Sequence, residues 1–289
     1  MLVAQWEAER IAAFVNKLRD LPTEQARHMA ALTELSWLHN RKIPGTEELY
    51  SPLVNRKVII AYRAAIIEAF GNKAPVLKVM RYSKERTDEY NVELIASRTY
   101  KHNHLRTVNA SEYIAAGEEL LTYNLEERWS NAAAIAGVCA LTGRRPFEVG
   151  CTGHFAPDPE RAKRIDFSGQ AKTRDTERAN AVYSIPVLGD RQLVLDTVAE
   201  LRNRIDPNMK NSRFSQRYAK EYGRKATETF HDIDGEPIIP RYLREAYAAI
   251  AIQRFAPSTQ SGVQFLNLIL GHKEGSLDTT LYYLGFEAV

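Results

Sequence analysis

The stretch Thr142-Gly143-Arg144-Arg145-Pro146-Phe147-Glu148-Val149 decides how this sequence is read. The alanine-rich run 131–141 before it has no polar face, which is the pattern of a helix buried on all sides. Gly143 can end that helix. Pro146 can open the next, at a position where its missing N–H costs nothing. Arg145 would then project from a tight turn between two helices. The turn can also be read as a helix cap that happens to be basic, and the rest of the chain bears on which reading holds.

Downstream, Arg164 to Ser168 and Ala181 to Pro186 read as two short strands around a polar loop, hence a small antiparallel sheet. The loop contains Gly169-Gln170-Ala171-Lys172-Thr173. Helices are expected at about 190–204, 212–230, 240–255 and 259–270. The third begins Pro240-Arg241-Tyr242-Leu243-Arg244. Cations are disfavoured at a helix N-terminus, which points to an anionic ligand there. Leu270-Gly271-His272 and Thr279-Thr280-Leu281-Tyr282-Tyr283 close the series.

Upstream, residues 2–20 and 23–39 read as amphipathic helices, with Trp6, Ile11, Phe14, Val15 and Leu18 at helical spacing in the first. Pro44-Gly45 breaks the chain. Thr46 with Glu47 and Glu48 is expected to open a long helix that runs to about Phe70 and stops at Gly71. Arg56 and Arg63 lie two turns apart on it, facing either phosphate or solvent. Residues 97–108 are polar and basic without a clean period, and they read as an interdomain segment. Asn109 then caps a new helix, with Glu112 at the capping-box position. The expected division is residues 1–106 and 107–289, mainly α in both parts with one small sheet in the second.

Composition sets bounds. A 44% hydrophobic and 26% charged chain is globular, not disordered. The net charge of +3 does not by itself imply nucleic acid. Its location says more: residues 201–225 carry eight basic side chains against two acidic ones, with Tyr218 and Tyr222 interleaved. Arg213, Arg217 and Lys220 head that cluster as expected contacts to DNA phosphates, because such a stripe gains affinity by counterion release. The two cysteines, Cys139 and Cys151, form no CxxC pair, and a reducing compartment fits. No signal-peptide pattern and no membrane-length apolar run occurs, so a cytoplasmic protein beside its chromosome or plasmid is expected. No HExxH, phosphate-binding Gly-Lys loop or dinucleotide fingerprint is present.

The side chains so quoted suit one kind of chemistry. A tyrosine that attacks a phosphodiester is only about 0.1% phenolate at neutral pH and approaches an anion. Two arginine forks neutralise that anion in pairs of hydrogen bonds and stabilise the charge that grows in the transition state. A histidine can bond the phosphate or handle the phenolic proton. A lysine on a loop can protonate the departing 5′ oxygen.

In that order, these motifs resemble the tyrosine recombinase and integrase superfamily, and within it the hairpin telomere resolvases, or protelomerases. Thr-Thr-Leu-Tyr-Tyr is similar to the superfamily's Thr-Thr-x-x-Tyr. The eleven residues from His272 to Tyr283 are similar to the resolvase spacing. Tyr62-Arg63-Ala64-Ala65-Ile66-Ile67-Glu68-Ala69-Phe70-Gly71 resembles their helical core-binding region. The resemblance implies catalytic roles for Tyr283, Arg145, Lys172, Arg244 and His272, with Glu148 orienting Arg145. Tyr282 stays open as nucleophile, and Lys163, Arg164 and Arg174 as the acid. Arg241 stands where the superfamily has histidine or lysine, so phosphate binding is expected of it. Arg144 is expected to contact DNA backbone or to lie on the surface.

The resemblance further implies a DNA-clamping N-terminal domain and a homodimer on a palindromic duplex site. It also implies a 3′-phosphotyrosine intermediate and hairpin products, with neither metal nor nucleotide cofactor. The alternatives are a recombinase acting through a Holliday junction, an inactive DNA-binding relative, and a type IB topoisomerase. The sequence ends six residues after Tyr283, where some family members continue.

Overall fold

A computed structural model of the chain describes residues 5–82, 84–122, 130–171, 181–272 and 280–289. They fall into two compact units, Met1–Ser97 and Arg98–Val289.

The first unit is helical. Helix α1 (Gln5–Asp20) buries Ile11, Phe14, Val15 and Leu18. Helix α2 (Glu24–Asn40) is capped by the Thr23 hydroxyl. Helix α3 (Pro52–Phe70) turns Val58, Tyr62 and Ile66 into the same core. The long helix does not begin at Thr46, as the sequence suggested. The Thr46 hydroxyl instead donates to the Ile43 carbonyl inside a small loop closed by a Lys42–Leu49 bridge. The helix opens six residues later at Pro52, with Ser51 accepting from the Val54 N–H. Proline at the first helical position and a serine cap outweigh two carboxylates.

The second unit is built around α6 (Ser130–Thr142), whose residues are all buried except Asn131. Helices α5 (Ala110–Leu121), α7 (Arg191–Arg204), α8 (Asn211–Thr229) and α9 (Pro240–Phe255) pack against it. Asn109 caps α5, and its side chain also bonds Glu112, as the capping-box pattern predicts. The antiparallel sheet has three strands in the order β2 (His154–Pro157), β3 (Arg164–Ser168), β4 (Tyr183–Pro186). Ile165 stands opposite Ile185, and both, with Phe167, face the core. Two strands were expected. The third is an exposed edge bounded by glycine and proline, so it carries no alternating signal. Helix α10 (Gly262–Ile269) follows α9.

Residues 97–103, expected as irregular linker, are the end of helix α4 (Lys84–Asn103). Strand β1 (Arg106–Val108) then pairs in parallel with β5 (Phe286–Ala288), Arg106 opposite Phe286. The chain end therefore returns to the start of its own unit. Among the described residues no helix is long and apolar enough to cross a membrane.

Candidate active site

Gly143 ends α6 in the left-handed region at φ 65°, and a Cβ there would lie 2.3 Å from the Tyr247 ring. Only glycine makes this turn against that ring. The turn delivers Arg144 and Arg145 in opposite senses. Arg145 reaches the cavity side, its side chain 25% exposed. Glu148, fully buried, clamps it. One carboxylate oxygen accepts from the Arg145 guanidinium at 2.7 Å and the other from its backbone N–H at 2.9 Å. The first oxygen also accepts from the Ala171 N–H at 3.0 Å, which ties the strand loop to the same carboxylate. Burial pushes the Glu148 carboxyl up, but Arg144, Arg244 and Arg145 together outweigh it and hold it below the usual range.

Arg144 is not on the surface. It is 2% exposed, with its guanidinium 4.8 Å from the Phe167 ring and Nη2 donating to the Ile269 carbonyl at 2.8 Å. Arg244, on the first turns of α9, is 7% exposed and donates through Nη2 to the Leu270 carbonyl at 3.1 Å. Gln170, from the strand loop, donates to the same carbonyl at 3.0 Å. Two cations and an amide thus meet the carbonyl end of α10, the end that favours positive charge. Burial, reinforced by the Arg144 charge, pushes the Arg244 guanidinium down to about 9. Among the described residues, Nε and Nη1 of both Arg144 and Arg244 are buried without a hydrogen-bond partner. Buried donors on charged groups are costly, and unsatisfied ones call for a ligand.

A cavity of about 460 Å³ opens over this floor, lined by Arg144, Arg145, Arg241, Arg244 and Tyr283 among others. The Tyr283 ring lies 5.1 Å from the Arg244 guanidinium carbon and 5.4 Å, centroid to centroid, from the His272 imidazole. His272 Nδ1 is 2.8 Å from the Thr280 hydroxyl. Gly271, at φ 65°, makes the turn that brings the imidazole here. Tyr282 does not line this cavity: it is 42% exposed, and its backbone carbonyl accepts from Lys101 at 2.9 Å. Lys101 also pairs with the mostly buried Glu245 at 2.6 Å. With the β1–β5 pairing, this fixes the chain on the far side of Tyr283.

Four of the five residues expected to be catalytic are therefore gathered: Arg145, Arg244, His272 and Tyr283. Lys172 lies outside the described residues, as do Thr279 and Arg174; Lys163 and Arg164 are described, and Arg164 bonds Ser184 on the sheet. Arg241 is exposed at the cavity edge, stacked 4.5 Å over the Tyr242 ring.

Arg213, Arg217 and Lys220 share the exposed face of α8. The rest of that basic cluster is less available than its sequence implied. Arg202 donates to the carbonyls of Val149, Glu148 and Gly153, Arg204 pairs with Glu200, and Arg224 pairs with Glu221 and Glu228. Arg56 is exposed on the first unit. Arg63, expected to face phosphate or solvent, donates to the Leu77 and Met80 carbonyls at 2.6 and 3.0 Å, and so serves the fold of its own unit. Sequence reading missed Gln170 and Asn267. The only signal for Gln170 was its place inside a quoted motif, and for Asn267 its place just before one.

A mostly helical unit with a small antiparallel sheet, presenting a tyrosine beside buried arginines, has the architecture of a tyrosine-recombinase-like catalytic domain. Residues 104–286 match the family model described as the telomere resolvase ResT/TelK catalytic domain, and the chain belongs to that family. Among solved structures, an arginine-to-alanine variant of protelomerase TelA, complexed with a DNA hairpin product, is 25% identical. It superposes with a TM-score of 0.82 over 100% of this chain and 90% of that one. Selenomethionine protelomerase TelA, covalently complexed with substrate DNA, is 26% identical at a TM-score of 0.81, with the same coverage. Protelomerase TelK complexed with substrate DNA shares the fold at 19% identity and a TM-score of 0.62, covering 99% of this chain and 58% of that one. No curated protein of similar sequence was found.

Proposed function

We propose that this chain cuts both strands of a DNA duplex at an inverted-repeat site and joins each cut strand to its folded-back complement, leaving two covalently closed hairpin telomeres. The observation that carries the proposal is the set of orphaned N–H groups on Arg144 and Arg244 beside Tyr283. They form a site for one phosphate next to one phenol.

In cleavage, the Tyr283 oxygen attacks the scissile phosphorus and the bond from phosphorus to the 5′ oxygen breaks. The phenolic proton passes to His272. The departing 5′ oxygen takes a proton from Lys172, the residue after Ala171, and the Ala171 N–H bonds the carboxylate that holds Arg145. Arg145 and Arg244 stabilise the pentavalent charge. In rejoining, a folded-back 5′-hydroxyl gives its proton to Lys172 as it attacks the phosphotyrosine, the bond from phosphorus to the phenol oxygen breaks, and Tyr283 recovers its proton from His272. The phosphotyrosine conserves the energy of the bond, so the cycle runs without ATP, and the arginines carry the charge a metal would otherwise neutralise. Two protomers act on one palindrome. Arg241 and the α8 residues Arg213, Arg217 and Lys220 bind flanking phosphates, and the helical N-terminal unit completes the grip on the duplex, with Arg56 on its outer face.

The test incubates the chain with a linear duplex carrying an inverted-repeat target, with chelator and without nucleotide. Hairpin ends are expected. Four-way junctions would make the chain a recombinase, and binding without cleavage would make it a regulator. Tyr283→Phe is expected to bind DNA and form no covalent adduct. An adduct that persists in that variant transfers the nucleophile to Tyr282 or to another residue.

A further inference from the structure

Beside the arginines runs a short chain of hydrogen bonds that the cleavage steps above leave without a role. Asn267, near the end of α10, is 2% exposed, and Thr280 is fully buried. The Thr280 hydroxyl donates to Asn267 Oδ1 at 2.9 Å and lies 2.8 Å from His272 Nδ1. The Asn267 backbone carbonyl accepts the His272 N–H at 3.0 Å. One residue therefore orients both the main chain and, through Thr280, the ring of His272. A hydroxyl has a single proton to donate. With that proton given to the Asn267 amide oxygen, Thr280 can only accept from the imidazole. Nδ1 must then carry the hydrogen of the neutral ring, which leaves the lone pair on Nε2.

We infer that Asn267 and Thr280 are positioning residues that hold His272 in its Nδ1–H tautomer and make Nε2 the nitrogen that takes the Tyr283 proton. The inference rests on the strand-cleavage reading for its consequence, but not for its geometry. In the opposite tautomer Nε2 already bears a proton, and the neutral ring has nothing to accept with on that side.

The decisive measurement needs no DNA. Long-range ¹H–¹⁵N correlation spectra of the uncomplexed protein report which ring nitrogen is protonated, and His272→Gln identifies the relevant signals among the seven histidines. The wild-type ring is expected as Nδ1–H, and Thr280→Ser, which keeps the hydroxyl, is expected to preserve it. Thr280→Val keeps the shape, removes the acceptor and should lose the pure pattern. Asn267→Leu frees the hydroxyl proton to turn toward Nδ1, so the ring should switch to Nε2–H. In the cleavage assay, Thr280→Val and Asn267→Leu should slow adduct formation by about 10²-fold, the low end for a positioned proton acceptor, and Thr280→Ser should recover it. A side chain needed only for packing would rank the two Thr280 variants the other way.

A wild-type Nε2–H ring, or an unchanged spectrum in Asn267→Leu, overturns the inference whatever the enzyme does to DNA. A switched tautomer with undiminished cleavage overturns the catalytic role. Expected spectra with no cleavage in wild type sink the hairpin reading and leave the tautomer assignment standing.

Discussion

The outer face of α8 and the floor beneath Tyr283 are both rich in arginine, and they hold their charge in opposite ways. On α8, Arg213, Arg217 and Lys220 stand in water, and Arg224 is matched by Glu221 and Glu228. Solvent and counter-charge meet every demand, and folding gives up little to place these groups. Under Tyr283, Arg144 and Arg244 are 2% and 7% exposed, share one buried carboxylate with Arg145, and keep N–H groups with no partner among the described residues. The protein holds these cations against the desolvation cost of burying them. The lesson is that charge density marks a surface, whereas charge held against desolvation marks a site. Only the second kind is visible as an unsatisfied group.

Glu148 gives the largest effect that can break this contrast. Its carboxyl is held below its ordinary 4.5 by the three arginines despite burial. A depressed folded value means the stability it lends is present above the unfolded value and is lost as pH falls through the folded one. Glu148→Gln is expected to cost roughly 3–5 kcal/mol at neutral pH, because it strands buried cations. It should also flatten the decline of stability in acid. Urea unfolding at neutral and acidic pH measures both. If the variant is as stable as wild type, the cavity floor is no more charge-dependent than α8.

Arg244→Met comes next and sharpens the contrast. Cleavage should fall by about 10²–10³, the loss of one transition-state contact. The melting temperature should hold or rise, because an apolar side chain of similar length removes an unsatisfied buried charge. Adduct formation and a thermal melt on the same preparation decide it. A melting temperature several degrees lower would make Arg244 a structural cation, like Arg202 with its three carbonyls.

The sequence made much of this legible where the signal was local. The apolar run before Gly143, the capping box at Asn109 and the proline opening α9 are all read within a few residues, and each element is where that reading puts it. The motif series likewise led to Arg145, Arg244, His272 and Tyr283. What stayed hidden depends on partners far along the chain. Arg144 and Arg145 are neighbours with identical chemistry. Only the Ile269 carbonyl and the Phe167 ring decide that the first is buried. Arg63 looked free because the carbonyls it serves, at Leu77 and Met80, belong to a later turn. The cluster at 201–225 looked more basic than it is because Glu200 and Glu228, which neutralise two of its arginines, fall just outside it. The three-residue β1–β5 ladder is too short to leave a periodic pattern and joins the two ends of its unit.

The smallest effect concerns α8 itself, and it tests the other half of the contrast. If Lys220, Arg213 and Arg217 act by releasing counterions from DNA, each alanine variant lowers the slope of log affinity against log salt by about 0.9. Stability should stay within about 0.5 kcal/mol of wild type, because nothing buried changes. The cleavage rate at saturating DNA should be unaltered. Arg224→Ala is the matched comparison, because its guanidinium is already engaged by Glu221 and Glu228 on the same helix. Its slope should equal that of wild type. Binding titrations of the four variants across a salt series supply the comparison. If Arg224→Ala lowers the slope as much as Lys220→Ala does, DNA draws guanidiniums out of their surface ion pairs. The pairing seen in the free protein would then say nothing about which cations the phosphates recruit, and the distinction between matched and unmatched surface charge would collapse, leaving only that between surface and buried charge.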